Sequence, residues 1–169
     1  MLHHAKNGLL SDDQFGFTKG RSCVTQLLVT VNEWMSALDD GLSVDAVYMD
    51  LKKAFDTVPH LRLISKLKGY GIKGELLQWI SDFLSDRTQY VTDNGNSSER
   101  IRVTSGVPQG SVVGPSLFIY FINDMPAQVE CKTKIFADDT KAYAIVDENI
   151  ESRDLIQRCI DRLVEWTNK

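Results

Sequence analysis

The sequence has no apolar run near the roughly 20 residues needed to span a bilayer, and its opening MLHHAKNGLLSDD lacks the apolar middle of a secretory signal. An intracellular protein with no membrane partner is the expectation, and without a basic import cluster the choice between nucleus and cytoplasm stays open. Three cysteines, Cys23, Cys131 and Cys159, are odd in number and show no CxxC spacing, which indicates neither a disulfide framework nor a zinc site. They read as buried or inert thiols. Positive charge is short too: 19 Lys and Arg stand against 23 Asp and Glu, for a net charge of −4 and a pI near 5.3. Phosphate binding draws its affinity from Lys and Arg, so a strong nonspecific nucleic-acid binder is not indicated. No internal repeat, low-complexity tract or Ser/Gly linker divides the 169 residues, a length that suits one domain.

What is present can build a core, since 43% of residues are hydrophobic and 25% charged. Val24, Leu27, Leu28, Val31, Trp34, Met35 and Leu38 recur at three- and four-residue steps, predicting a helix over 22–38 with this stripe buried. Ser43 to Asp50 reads as a core strand delivering Asp50 at its end. A helix follows Pro59, and another carries Leu76, Leu77, Ile80, Phe83 and Leu84. Alternating segments around Asn94-Gly95 predict a hairpin over 88–103. The Gly- and Pro-rich stretch from Ser105 reads as a loop, followed by an apolar helix over 116–125 and then a strand, a two-carboxylate turn and a second strand over 132–146. A last helix is expected over 150–166. Mixed elements with antiparallel hairpins suggest an α+β fold.

Chemistry can start from Asp138 and Asp139, adjacent carboxylates between two apolar strands. Asp is also a favoured turn residue, so the pair alone is compatible with a purely structural role. A hairpin turn is equally a rigid mount for carboxylates that hold hard cations such as Mg²⁺. Asp50, at a strand end, is the third candidate. Should the 45–50 strand lie beside the 132–137 hairpin, the three carboxylates converge, and cations between them would suit in-line phosphoryl transfer. His3, His4 and His60 have neither metal spacing nor a nucleophile partner. Trp34, Trp79 and Trp166 fall on helical apolar stripes and read as packing anchors.

Four segments occur in order: QFGFTKGRS at 14–22, VYMDLKKAFDTVPH at 47–60, SGVPQGSVVGPSLFIYFINDM at 105–125 and FADDT at 136–140. The ordered set resembles the reverse transcriptase domain of non-LTR (LINE-type) retrotransposons over nearly the whole chain. That resemblance implies a polymerase-type palm, an antiparallel sheet packed on helices, over 43–169, with a fingers remnant at 1–42 and no thumb. It implies RNA-directed DNA polymerisation on an RNA template with a DNA primer and deoxynucleoside triphosphates. Asp50, Asp138 and Asp139, with the Leu51 carbonyl, would hold two Mg²⁺ ions, with Mn²⁺ as a substitute. Phe55 would be the gate against a ribose 2′-hydroxyl, although core packing is its alternative from sequence alone, and Asp56 is taken as structural. Pro108, Gln109 and Gly110 would flank the nucleotide and templating base. Gly20, Arg21 and Ser22 would lie near the template.

The resemblance also leads one to expect an upstream fingers block with its basic groups, a downstream lysine motif and a thumb, none of which is in this sequence. Two functions therefore stand side by side: a polymerase, or a catalytically inactive truncated remnant retained at most as an RNA-binding palm module.

Overall fold

The computed structural model describes residues 9–147 and 154–168. His3, His4 and the expected helix start at Ile150 lie outside the described residues. In chain order the elements are α1 (Cys23–Asp39), β1 (Ser43–Met49), α2 (Ala54–Thr57), α3 (His60–Gly69), α4 (Gly74–Leu84), β2 (Thr88–Gln89), β3 (Thr92–Asp93), β4 (Asn96–Ser97), β5 (Ile101–Arg102), α5 (Gly114–Ile122), a 3₁₀ turn (Pro126–Gln128), β6 (Lys132–Phe136), β7 (Asp139–Val146) and α6 (Leu155–Thr167). This is the expected α+β mixture. No helix among the described residues is long and apolar enough to cross a membrane. The chain falls into two compact units, Met1–Lys52 with Ile122–Lys169, and Lys53–Phe121.

The first unit is built on an antiparallel sheet of order β1-β7-β6. Its central strand β7 is buried almost end to end because β1 and β6 cover its edges and helices pack on it, with Ala142 and Tyr143 fully inaccessible. Tyr143 turns toward α1, donating its hydroxyl to Glu33 Oε2 at 2.9 Å and meeting the edge of Trp34. Lys141, two residues earlier and so on the same face, has its ammonium over the Trp34 and Tyr48 rings, and burial lowers its pKa. The other layer is α6, whose Cys159, Leu163 and Trp166 are buried and whose Cys159 sulfur accepts the Cys131 N–H. Burial raises the Cys131 thiol pKa, as expected of an inert thiol, whereas Cys23 is exposed.

Two expectations are corrected here. β1 is an edge strand with none of its residues buried, not a core strand. Helix α1 forms as expected, held at its start by a reciprocal capping box between Ser22 and Thr25. Its buried residues, however, are Gln26, Thr30 and Ala37, and the apolar stripe is largely outside, with Leu28 64% and Met35 54% exposed. Thr30 satisfies its hydroxyl on the Gln26 carbonyl at 2.9 Å.

Segment 11–17 adds a short parallel member at the free edge of β6. Gln14 pairs with Ile135, the Phe15 N–H donates to the Ile135 carbonyl, and the Ile135 N–H donates to the Asp13 carbonyl, both at 2.8 Å. Side chains extend the seam: Thr133 Oγ1 and Lys134 Nζ both donate to the Asp13 carboxylate. Asn123 clasps the start of the segment, accepting the Ser11 N–H and donating to the Leu9 carbonyl.

In the second unit, Leu63 and Leu67 of α3 and Ile80 and Leu84 of α4 are buried, each leucine contributing about 1.5–3 kcal/mol by leaving water. Trp79 is half exposed, stacked on Phe83 rather than sunk in the core. The expected hairpin is present as two short ladders, β2 with β5 and β3 with β4, closed by Asn94 and Gly95, both at positive φ as a type I′ turn requires. Helix α5 begins and ends slightly earlier than its sequence pattern suggests.

Candidate active site

The sheet register decides where the carboxylates go. β1 and β7 pair antiparallel with Met49 opposite Thr140, so the next residues in each direction, Asp50 and Asp139, reach the same end of the sheet. β6 and β7 pair with Phe136 opposite Asp139, leaving Ala137 and Asp138 as the two residues of the hairpin turn. All three aspartates therefore share one end of the sheet. Asp50 and Asp139 are exposed and Asp138 is half-buried.

Among the described residues these carboxylates carry no hydrogen bond or ion pair from another side chain, and no three Asp, Glu, His or Cys side chains already converge as a metal cage. The donor set suits a hard cation nonetheless: it is all oxygen, unpartnered and open to water, which is what Mg²⁺ asks of a site that must keep positions for phosphate. The Leu51 carbonyl belongs to the residue directly after Asp50. Ala137, just before Asp138, has φ +60°, a left-handed conformation costing a non-glycine residue about 1–2 kcal/mol. The turn is held by Gln14, whose Oε1 accepts the Ala137 N–H at 3.1 Å. Sequence reasoning missed Gln14; the available signal was a polar amide directly before the Phe15-Gly16-Phe17 run.

The second unit assembles the other expected set. Phe55 is half-buried and its ring stacks on Phe118 with centroids 4.3 Å apart, so core packing and a fixed ring orientation coexist in this residue. Loop 105–111 is laced to segment 55–60. The Val107 N–H donates to the Phe55 carbonyl and the Gly106 N–H to the Val58 carbonyl, both at 2.8 Å, while Ser105 Oγ donates to the Asp56 carbonyl. Gly106 is required by this approach: its φ is +89°, and a Cβ there would lie 2.6 Å from the Asp56 carbonyl oxygen. Gly110 also has positive φ but open space around it. Gln109 Nε2 donates to Asp56 Oδ1 at 2.9 Å. His60, to which the sequence assigned no role, donates from Nε2 to the Gly106 carbonyl at 2.8 Å. Pro108 accepts the Ser111 hydroxyl, which in turn accepts the Gly114 N–H at the start of α5.

Gly20, Arg21 and Ser22 lie in the first unit, where the latter two have local partners. The Arg21 guanidinium pairs with the Asp12 carboxylate, donates to the Asp12 and Gln14 carbonyls and covers the Phe15 ring, so it ties segment 12–15 to the start of α1. Ser22 is the helix cap.

A family model described as "Reverse transcriptase (RNA-dependent DNA polymerase)" matches residues 1–169. The chain is 34% identical over 168 residues to the RNA-directed DNA polymerase from mobile element jockey of Drosophila funebris, covering 92% of this chain and 18% of that protein. It is 37% identical over 124 residues to a probable RNA-directed DNA polymerase from transposon BS of Drosophila melanogaster, covering 70% of this chain and 13% of that one. Against the probable RNA-directed DNA polymerase from transposon X-element of the same species, identity is 30% over 167 residues, or 96% of this chain and 18% of the relative. The chain thus spans less than a fifth of the length of these relatives. With its motifs in order, its aspartates at one end of an antiparallel sheet and a family match along its length, the chain belongs to the reverse transcriptase family, among the non-LTR retrotransposon members.

Proposed function

We propose that this chain carries out RNA-directed DNA synthesis: a primer 3′-oxygen attacks the α-phosphorus of a deoxynucleoside triphosphate, its proton passes to water, and the bond to the β-phosphate breaks to release pyrophosphate. The observation that carries the proposal is the Met49–Thr140 register, which brings Asp50 and Asp139 to the end of the sheet where Asp138 turns. Asp50, Asp138 and Asp139, with the Leu51 carbonyl, would hold two Mg²⁺ ions, or Mn²⁺ in their place. When bound, such ions stabilise charge on the attacking and leaving oxygens.

The remaining roles belong to the chain's own groups. Phe55, its ring oriented by Phe118, would exclude a ribose 2′-hydroxyl by bulk. Pro108, Gln109 and Gly110 would contact the nucleotide and the templating base, with Gln109 oriented by Asp56. For Gly20, Arg21 and Ser22, a place near the template rests on the exposed Gly20 turn, because Arg21 and Ser22 have structural partners. Residues 1–42 are fingers and 43–169 palm in this reading, and the partners are an RNA template, a DNA primer and deoxynucleoside triphosphates.

Primer extension by the purified chain on a primed RNA template tests it, beside Asp138→Asn. Extension should fall at least about a hundredfold in the variant while its folding is unchanged. Substantial remaining activity sinks the assignment. The net charge of −4 favours a second reading, a noncatalytic remnant that binds RNA weakly; a well-folded chain that extends no primer would support it.

A further inference from the structure

We infer that Gln14 is a positioning residue for the Asp138–Asp139 turn, acting as a neutral oxygen acceptor that fixes the peptide before Asp138; the inference rests on the polymerase reading for its purpose. Gln14 is 1% exposed, and its Oε1 accepts two backbone donors, the Gly16 N–H at 2.7 Å and the Ala137 N–H at 3.1 Å. Both lone pairs of that oxygen are used.

Asp138 has no side-chain partner among the described residues, so its carboxylate is aimed only by its own backbone. That backbone is unusual. Ala137 sits at positive φ in a two-residue turn, where its N–H has no partner on the opposite strand, and the residue is buried. Gln14 supplies the missing acceptor and so holds a conformation the turn would otherwise tend to leave. The holder is itself fixed, because Phe15 and Asp13 bond Ile135 on either side of it. Gly16 completes the contact: a Cβ there would overlap the Ala137 nitrogen and crowd the Phe136 carbonyl carbon, so segment 14–16 lies directly on the peptide it steadies.

The choice of Gln is informative. Its Nε2 is buried and has no hydrogen-bond partner among the described residues, an arrangement that a Met or Leu of similar bulk would avoid. What the site needs from this side chain is therefore the oxygen. A Glu would offer the oxygen too, but would add a negative charge next to carboxylates reserved for cations.

The test compares the full chain with Gln14→Met, of similar length without an acceptor, and Gln14→Glu, which restores one. Three readouts are taken: amide hydrogen exchange at Ala137 and Asp138, Mn²⁺ affinity by water-proton relaxation, and primer extension. In Gln14→Met the Ala137 amide should exchange about a hundredfold faster and Mn²⁺ affinity should fall about tenfold. Its extension should lose kcat with KM for primer–template unchanged, and Gln14→Glu should return Ala137 protection to within about threefold of wild type. Wild-type Mn²⁺ affinity in Gln14→Met overturns the inference, whatever happens to stability. If Gln14→Met does not fold, Gln14→Glu decides, and unprotected Ala137 there overturns it. A wild-type chain that binds Mn²⁺ through Asp138 yet never extends a primer sinks the polymerase reading while leaving the Gln14 comparison intact. One that binds no Mn²⁺ overturns both.

Discussion

Gln109 and Asp56 are joined by a 2.9 Å hydrogen bond from the amide Nε2 to the carboxylate Oδ1, across 53 positions of sequence. The same aspartate accepts the Ser105 hydroxyl on its carbonyl, and Gly106 lies against it. Asp56 is therefore structural in a specific sense: it sets where Gln109 points.

With Gln109 contacting the nucleotide as proposed above, Asp56→Ala should act on nucleotide binding more than on folding. Gln109 is exposed, so losing the bond costs about 1 kcal/mol or less, equivalent to roughly a fivefold rise in KM for the deoxynucleotide with kcat little changed. Asp56→Asn keeps an acceptor oxygen and should stay near wild type. Steady-state extension at varied nucleotide concentration separates the outcomes; an Ala variant with unaltered KM would detach Gln109 from nucleotide binding.

Acid should find the α1–sheet contact through Glu33. Burial raises the pKa of this carboxyl, but the Lys132 ammonium at 2.5 Å and the Tyr143 hydroxyl together outweigh that and bring it below its ordinary 4.5. A depressed folded pKa gives stability that is complete above about 4.5 and is lost as pH falls through the folded value. Glu33→Gln retains an acceptor for Tyr143 but cannot titrate, so it should cost about 1 kcal/mol at pH 7 and lose less stability than wild type between pH 5 and about 3. Urea midpoints at the two ends of that window provide the comparison; identical pH slopes would remove Glu33 from the acid response.

Local chemistry made much of this molecule readable. Asn94-Gly95 announces its turn, the apolar spacing over 22–38 helix α1, and the paired aspartates between apolar runs the β6–β7 hairpin, because each signal acts within a few residues. The end of β1 at Met49 likewise leaves Asp50 where its apolar run stops. Gln14 and Ala137, 123 positions apart, carry no local mark of their contact, and neither do Asp56 and Gln109. The order β1-β7-β6 is also nonlocal: it puts β1 at an edge that alternation of side chains could not distinguish from the centre. Helix α1 shows the same limit, since periodicity reveals that a helix has two faces but not which one the sheet will meet.

That face can be settled by substitution. Ala37 is 3% exposed on the buried side, whereas Leu28 and Met35 lie on the outer stripe. Ala37→Leu forces extra carbons into a buried position and should destabilise the first unit by about 1–3 kcal/mol. Leu28→Gln and Met35→Gln remove apolar surface that is already wet and should stay within about 0.5 kcal/mol of wild type. Denaturant midpoints of the three variants, compared at equal concentration, check the assignment. Were the order reversed, with the outer substitutions costly and Ala37→Leu benign, the apolar stripe rather than Gln26, Thr30 and Ala37 would be the face that packs.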